Sequence, residues 1–207
     1  MKQDILVVGA GGHAKVCIEI LRSMGESVGF CVGDDSASTE CMGVPVLKGD
    51  HNLPVLYDAG YRRIFIGLGS NRLRERLATV AVEHGYSLVN AIHPQAVISP
   101  SVTLGRGVAI MAGVVINASS VISTLAIINT GATIDHDCVI GKAVHVAPQS
   151  ALAGNVKIGD FSFLGVGTKV IPEVTIGVRV TVGAGSVVIK DIEDNQTVVG
   201  VPARPIV

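Results

Sequence analysis

The 207-residue chain reads as an α/β domain followed by an all-β parallel β-helix, and three observations predict this. From Ile92 to Val188 every sixth residue is Ile, Leu or Val, 17 positions without an exception. That period fits neither a helix nor an alternating strand; it is the hexapeptide signature of a parallel β-helix. Before Ile92 the pattern is different, with short apolar runs that end at glycine turns and pass into helical spacing. The composition agrees, with 33 Val, 20 Ile and 25 Gly against four Phe, three Tyr and no Trp. β-branched residues and glycines suit many short strands and tight corners, and a narrow core leaves no room for rings.

In chain order, Asp4–Gly9 reads as a buried strand and Gly9-Ala10-Gly11-Gly12-His13-Ala14 as a turn. Lys15–Met24 has helical spacing. Ser27–Val32 is a second strand, ending at Gly33-Asp34-Asp35. Arg63–Leu68 is a third, followed by Gly69-Ser70-Asn71 and a helix to about Glu83. This alternation predicts a small parallel sheet of about three strands with helices on its faces. Leu88–Ile92 leads into the repeat. The expected division is 1–91 for the α/β domain, 92–190 for the β-helix and 191–207 for a C-terminal tail.

Within the repeat, three hexapeptides make a coil of 18 residues. The fourth residue after each aliphatic is small or β-branched, running Val102, Val108, Val114, Ser120, Ala126, Ala132, Cys138 and onward to Ser186. Both sets are expected to point inward. The residue following the aliphatic is often glycine (Gly105, Gly141, Gly159, Gly165, Gly177, Gly183), as expected at tight corners.

Several classes are excluded. Lys+Arg (16) balance Asp+Glu (17), and few rings are available for stacking, so nucleic acid is not an expected partner. The uncharged stretch between Arg106 and Asp135 is broken by Asn, Ser, Thr and Gly, and the six-residue spacing explains its apolar residues, so membrane insertion is not expected. Asp4 and the early glycine turn argue against a signal peptide. Cys17, Cys31, Cys41 and Cys138 form no CxxC pair and read as reduced, packed thiols of a cytoplasmic protein.

An N-terminal half of a Rossmann-like domain joined to such a repeat resembles the bacterial sugar acyltransferases, which are left-handed hexapeptide β-helices. They include nucleotide-amino-sugar N-acetyltransferases and sialic-acid O-acetyltransferases. The resemblance rests on Gly9-Ala10-Gly11-Gly12-His13, on Gly33-Asp34-Asp35, on the segment Asn129–Gly141 with its Asp135-His136-Asp137, on Ala153–Gly159, and on Gly200-Val201-Pro202-Ala203. It implies acetyl-CoA as co-substrate, no metal, and a homotrimer with active sites between subunits. It also implies that His136 is the general base, with Asp137 orienting it where the family usually carries Glu. Asn129 matches a position in the acceptor pocket. His145, Val166 and Ala184 match positions that contact the coenzyme.

The spacing adds to this. Acetyl transfer from a thioester needs a base for the nucleophile's proton and a donor for the developing oxyanion. His136 lies two residues past the inward Ile134 and is expected to project outward. Gly154 is one coil on, so its N–H is placed to serve as the oxyanion donor. His145 is half a coil from His136, so the two are not expected on one face of one prism. No Cys or Ser is paired with a base, so the transfer is expected to be direct.

Gly9-x-Gly11-x-x-Ala14, with Asp34-Asp35 about 20 residues on, also fits a weak dinucleotide fingerprint. A nucleotide sugar suits half a domain better, and the resemblance matches Gly11, Gly12, His13, Asp34, Asp35 and Gly69 to nucleotide-sugar contacts. The expectation is an acetyl-CoA-dependent N-acetyltransferase acting on a UDP-linked 4-amino-4,6-dideoxy sugar. The alternatives are a sialic-acid O-acetyltransferase and a non-catalytic β-helix binding protein.

Overall fold

In a computed structural model, which describes residues 2–206, the chain divides into two compact units at Pro94 and Gln95. The first runs β1 (Lys2–Val8), α1 (Gly12–Ser23), β2 (Val28–Gly33), β3 (Glu40–Cys41), β4 (Val44–Lys48), α2 (Asn52–Asp58), β5 (Tyr61–Ile66), α3 (Asn71–Glu83) and β6 (Ser87–Leu88). The sheet order is β3-β4-β2-β1-β5-β6. All pairs are parallel except the β3–β4 hairpin. Ile5, Leu6, Val7 and Val8 are all buried, because β1 is central and covered on both faces, which demands an unbroken apolar run. α1 turns Ala14, Cys17, Ile18, Ile20 and Leu21 inward, and α3 turns Leu77, Ala78 and Ala81.

Six strands form where about three are expected. The additions are the two-residue strands β3 and β6, too short to show a period, and β4, whose Pro45 disguises it as a loop. The helix expected from Lys15 begins at Gly12. Strand order reverses about β1, with β2 on one side and β5 on the other. The turns after these three strands, at Gly9, Gly33 and Gly67, therefore open at the carboxyl edge, where open α/β sheets bind ligands.

In the second unit the strands from Val97–Ile98 to Val187–Val188 are two residues long, and each pairs with the strand 18 residues away. Ile116 lies beside Ile98 and Ile134, Ile122 beside Leu104 and Ile140, and Ile128 beside Ile110 and Val146. Three parallel sheets result, one per side of a prism. From Ile110 to Val188 every sixth-position aliphatic is buried, and so is every small residue from Val108 to Ser186. The buried serine hydroxyls are satisfied across coils: Ser120 Oγ donates to Asp135 O (2.8 Å) and accepts from Cys138 N (3.1 Å).

The corners differ from expectation. The glycines after the aliphatics do not have positive φ. They are small because the next coil nests against them: a Cβ on Gly159 would lie 2.6 Å from Gly177 C, and one on Gly165 would lie 2.6 Å from Ala184 N. The left-handed residue comes two positions later, at every sixth residue from Gly107 to Gly185. It is usually not glycine; Leu125, Asp137, Gln149, Asn155 and Phe161 all have φ near 60°. Its N–H donates to a carbonyl of the preceding coil, as in Asp137 N to Ala118 O (3.0 Å) and Asn155 N to His136 O (2.9 Å). That ladder offsets the cost of the left-handed conformation.

Residues 191–206 are not a separate tail. Ile192 bridges Ile176, Thr197–Val199 pairs with Thr181–Val182, and Arg204–Pro205 returns antiparallel. Ile192, Val198 and Ala203 are buried there. All four cysteines are free and buried. Among the described residues no helix is long and apolar enough to cross a membrane.

Candidate active site

His136 occupies a corner of the prism, just past the two-residue strand Thr133–Ile134. Its side chain is 58 % exposed. Nδ1 lies 2.8 Å from Asp137 Oδ2, so Nδ1–H donates to the carboxylate and the lone pair is at Nε2. Asp137 reaches the ring because its left-handed backbone (φ 59°) turns its side chain back over the preceding residue. The hydrogen bond to Asp137 and, next, the charge of Asp135 raise the imidazole pKa above its ordinary value.

Gly154 lies directly against the ring, since an added Cβ would sit 2.6 Å from His136 Cε1 and 2.7 Å from Nε2. Among the described backbone hydrogen bonds, Ala153 N and Asn155 N are donors and Gly154 N is not. The equivalent corner amides of Lys142 and Val178 each donate to a carboxylate, Asp160 Oδ1 and Asp194 Oδ1, both at 2.7 Å. This corner amide is thus suited to a negatively charged oxygen, and at Gly154 it is open.

His145 lies on a different sheet from the strand that precedes His136, as half-coil spacing requires. Asn129 sits with His145: its Nδ2 is 3.1 Å from His145 Nε2, and its Oδ1 accepts the Thr130 N–H (2.8 Å). The amide donates, so Nε2 accepts and the neutral ring carries its proton on Nδ1. Phe163 meets the His145 ring edge-on at 5.3 Å, a neighbour that spacing alone could have supplied, since it lies one coil on. Val166 and Ala184 are exposed, stack one coil apart on one edge, and their amides make no backbone hydrogen bond among those described.

In the first unit, a cleft of about 460 Å³ opens at the carboxyl edge of the sheet. Gly11 and Asp34 line it, with Gly9, Gly33, Asp50 and Arg76. Gly12, His13, Asp35 and Gly69 do not line it. Asp50 and Arg76 were not legible from motifs, because they belong to the connection after β4 and to α3. Gly9 and Gly67 are packing glycines: a Cβ on Gly9 would lie 2.8 Å from Gly67 O, and one on Gly67 would lie 3.2 Å from Ala14 Cα. Gly11, Gly12 and Gly69 have open space where a Cβ would go and no positive φ, so neither packing nor backbone geometry requires glycine there.

Asp34 accepts Ser36 N–H (2.9 Å) and Ser36 Oγ–H (2.5 Å), and its pKa is lowered mainly by that hydroxyl. His13 is held neutral by burial and then by Arg74, with a pKa lowered to about 4. Arg74 is fully buried and donates to Leu68 O, Gly69 O and Asn71 Oδ1, which fixes the turn after β5. Among the described residues no group of His, Cys, Asp and Glu could hold a metal.

The PglD N-terminal domain family matches residues 4–81. PerB from Caulobacter crescentus, solved in complex with CoA and GDP-perosamine, is 55% identical with a TM-score of 0.95, over 98% of this chain and 97% of that one. The acetyltransferase domain of PglB from Neisseria gonorrhoeae, in complex with acetyl coenzyme A, is 38% identical over the whole of both chains, with a TM-score of 0.92. A serine acetyltransferase from Bacillus pumilus is 39% identical over 82 residues, where the chain spans little more than a third of that enzyme's length. On the shared N-terminal domain, the shared prism and identity that runs from end to end, the chain belongs to the hexapeptide-repeat sugar N-acetyltransferases, acetyl-CoA-dependent enzymes built on a left-handed β-helix.

Proposed function

We propose that this enzyme transfers acetyl from acetyl-CoA directly to the amine of a nucleotide-linked 4-amino-4,6-dideoxy sugar, with His136 as general base. The observation that carries the reading is the His136 corner. Nδ1 is engaged by Asp137, Nε2 is left for a substrate proton, and an open amide lies against the same ring at Gly154. The amine attacks the thioester carbonyl and loses its proton to Nε2. Gly154 N–H donates to the oxyanion. Collapse breaks the C–S bond, and the imidazolium returns the proton to the departing thiolate.

The first unit supplies the nucleotide site. Gly11 and Gly12 open the start of α1 to close approach by phosphates, and Asp34 is an ionised acceptor for ribose or base hydroxyls and N–H groups. The expected sugar is UDP-linked; 55% identity to a protein solved with GDP-perosamine favours a GDP-linked one. His145 and the amides of Val166 and Ala184 would meet the coenzyme, and Asn129, hydrogen-bonded to His145, would border the acceptor pocket. Because His145 and His136 lie on different sides of the prism, one site draws them from two subunits of a homotrimer. Free, buried thiols suit a cytoplasmic enzyme.

The test is His136→Ala, with acetyl transfer measured on GDP- and UDP-linked amino sugars. kcat/KM is expected to fall by about 10²–10⁴. Near wild-type turnover by the variant would overturn the assignment of the base. Transfer to a sugar hydroxyl but to no amine would overturn N-acetylation.

A further inference from the structure

His136 is fixed through its backbone as well as its ring. Its carbonyl accepts Asn155 N–H from the coil above (2.9 Å). Its own N–H donates to Asp135 Oδ1 (2.8 Å). The same carboxylate oxygen accepts Asn117 Nδ2–H from the coil below, at 2.9 Å. Asn117 and Asp135 occupy the same position in successive coils, and the strands before them are in register, Val115 with Thr133 and Ile116 with Ile134. The main chain of Asp135 is pinned too, its N–H donating to Leu152 O and its carbonyl accepting Ser120 Oγ–H. Only the carboxylate is left to rotate, and Asn117 decides where it points.

We infer that Asn117 is a positioning residue for His136, acting through the Asp135 carboxylate. The inference rests on His136 being the base. With Asn117 in place, one carboxylate oxygen carries two donors, one from the coil below and one from His136 itself. Without it, the half-buried Asp135 side chain gains as much from water as from a single N–H, and its charge leaves the neighbourhood of the ring. The charged groups facing His136 are Asp135 and Asp137. The adjoining corners, Asn117-Ala118-Ser119 below and Ala153-Gly154-Asn155 above, carry no charge. The hydrogen bond from Asn117 is the largest influence lowering the Asp135 pKa, and Asp135 in turn helps to raise that of His136.

The experiment is an NMR titration of the His136 ring in the full-length protein, beside kcat/KM–pH profiles, for wild type, Asn117→Ala and Asp135→Asn. Asp135→Asn is isosteric and keeps an acceptor for the His136 N–H, so it tests the charge even if Asn117→Ala loosens the coil. In both variants the ring should titrate at lower pH than in wild type, and the acid limb of kcat/KM should move with it. kcat should fall about tenfold with KM for both substrates unchanged. The double variant should titrate where Asp135→Asn does. A merely structural asparagine would lower Tm and leave the titration in place, and a wild-type His136 titration in Asn117→Ala and Asp135→Asn overturns the inference. His136→Ala, run alongside, separates the two ideas: full activity there defeats the base assignment, while the titration still reports on Asn117.

Discussion

At the scale of single residues, the His136–Asp137 pair makes a prediction whose sign is set by which form the carboxylate favours. Asp137 stabilises the imidazolium, so the folded-state pKa lies above the unfolded value. As the proposed base, His136 must be neutral, so kcat/KM should rise with pH through a value above the ordinary 6.5 of histidine. In Asp137→Asn that limb should move to lower pH. The same linkage acts on stability. The contribution of the pair is fully present below the unfolded pKa and is lost as pH rises through the folded one, so the Tm difference between wild type and His136→Gln should shrink with rising pH. Gly154→Ala tests the other half of the corner. Its Cβ would meet only the far end of the His136 side chain, which can swing into solvent. Circular dichroism should show a folded protein, while kcat/KM falls about 10²-fold as the ring is displaced.

At the scale of elements, two glycine classes on the prism should separate in a denaturation experiment. Gly159→Ala drives a methyl into the backbone of the next coil, which cannot yield without opening the ladder, and should cost about 3 kcal/mol. Gly185→Ala has open space and only the left-handed φ of 69° to bear, and should cost about 1 kcal/mol. Equal losses in urea unfolding would contradict this account of the corners. The contrast also shows what the sequence could and could not disclose. Ile110, Ile116 and Ile134 announce the prism, because an inward residue must be apolar at every rung. The left-handed position is invisible, because Leu125, Asp137 and Phe161 accept it in return for a ladder hydrogen bond, and that bond is made to a residue 19 positions earlier. The pairing of His136 with Gly154 was legible as a multiple of the coil length. The place of Asn129 beside His145, and of Asp50 and Arg76 in the N-terminal cleft, was not, because side-chain direction and long connections leave no period.

At the scale of the whole molecule, stability is carried coil by coil, each resting on its neighbours. Residues 191–206 close the far end by adding Thr197–Val199 beside Thr181–Val182. Ending the chain at Lys190 should leave that strand edge unpaired and promote association, visible as a rise in light scattering at concentrations where the full chain is clear. The 18-residue register has a further consequence for how such a chain can change in length. Loss of one residue between Ile98 and Val188 would turn every later aliphatic out of the core and every later corner residue into it, so the error cannot be absorbed where it occurs. Length is therefore quantised: the prism can shed or gain whole coils, and only a coil placed outside the stretch from His136 to Gly154 leaves that ring and that amide one above the other.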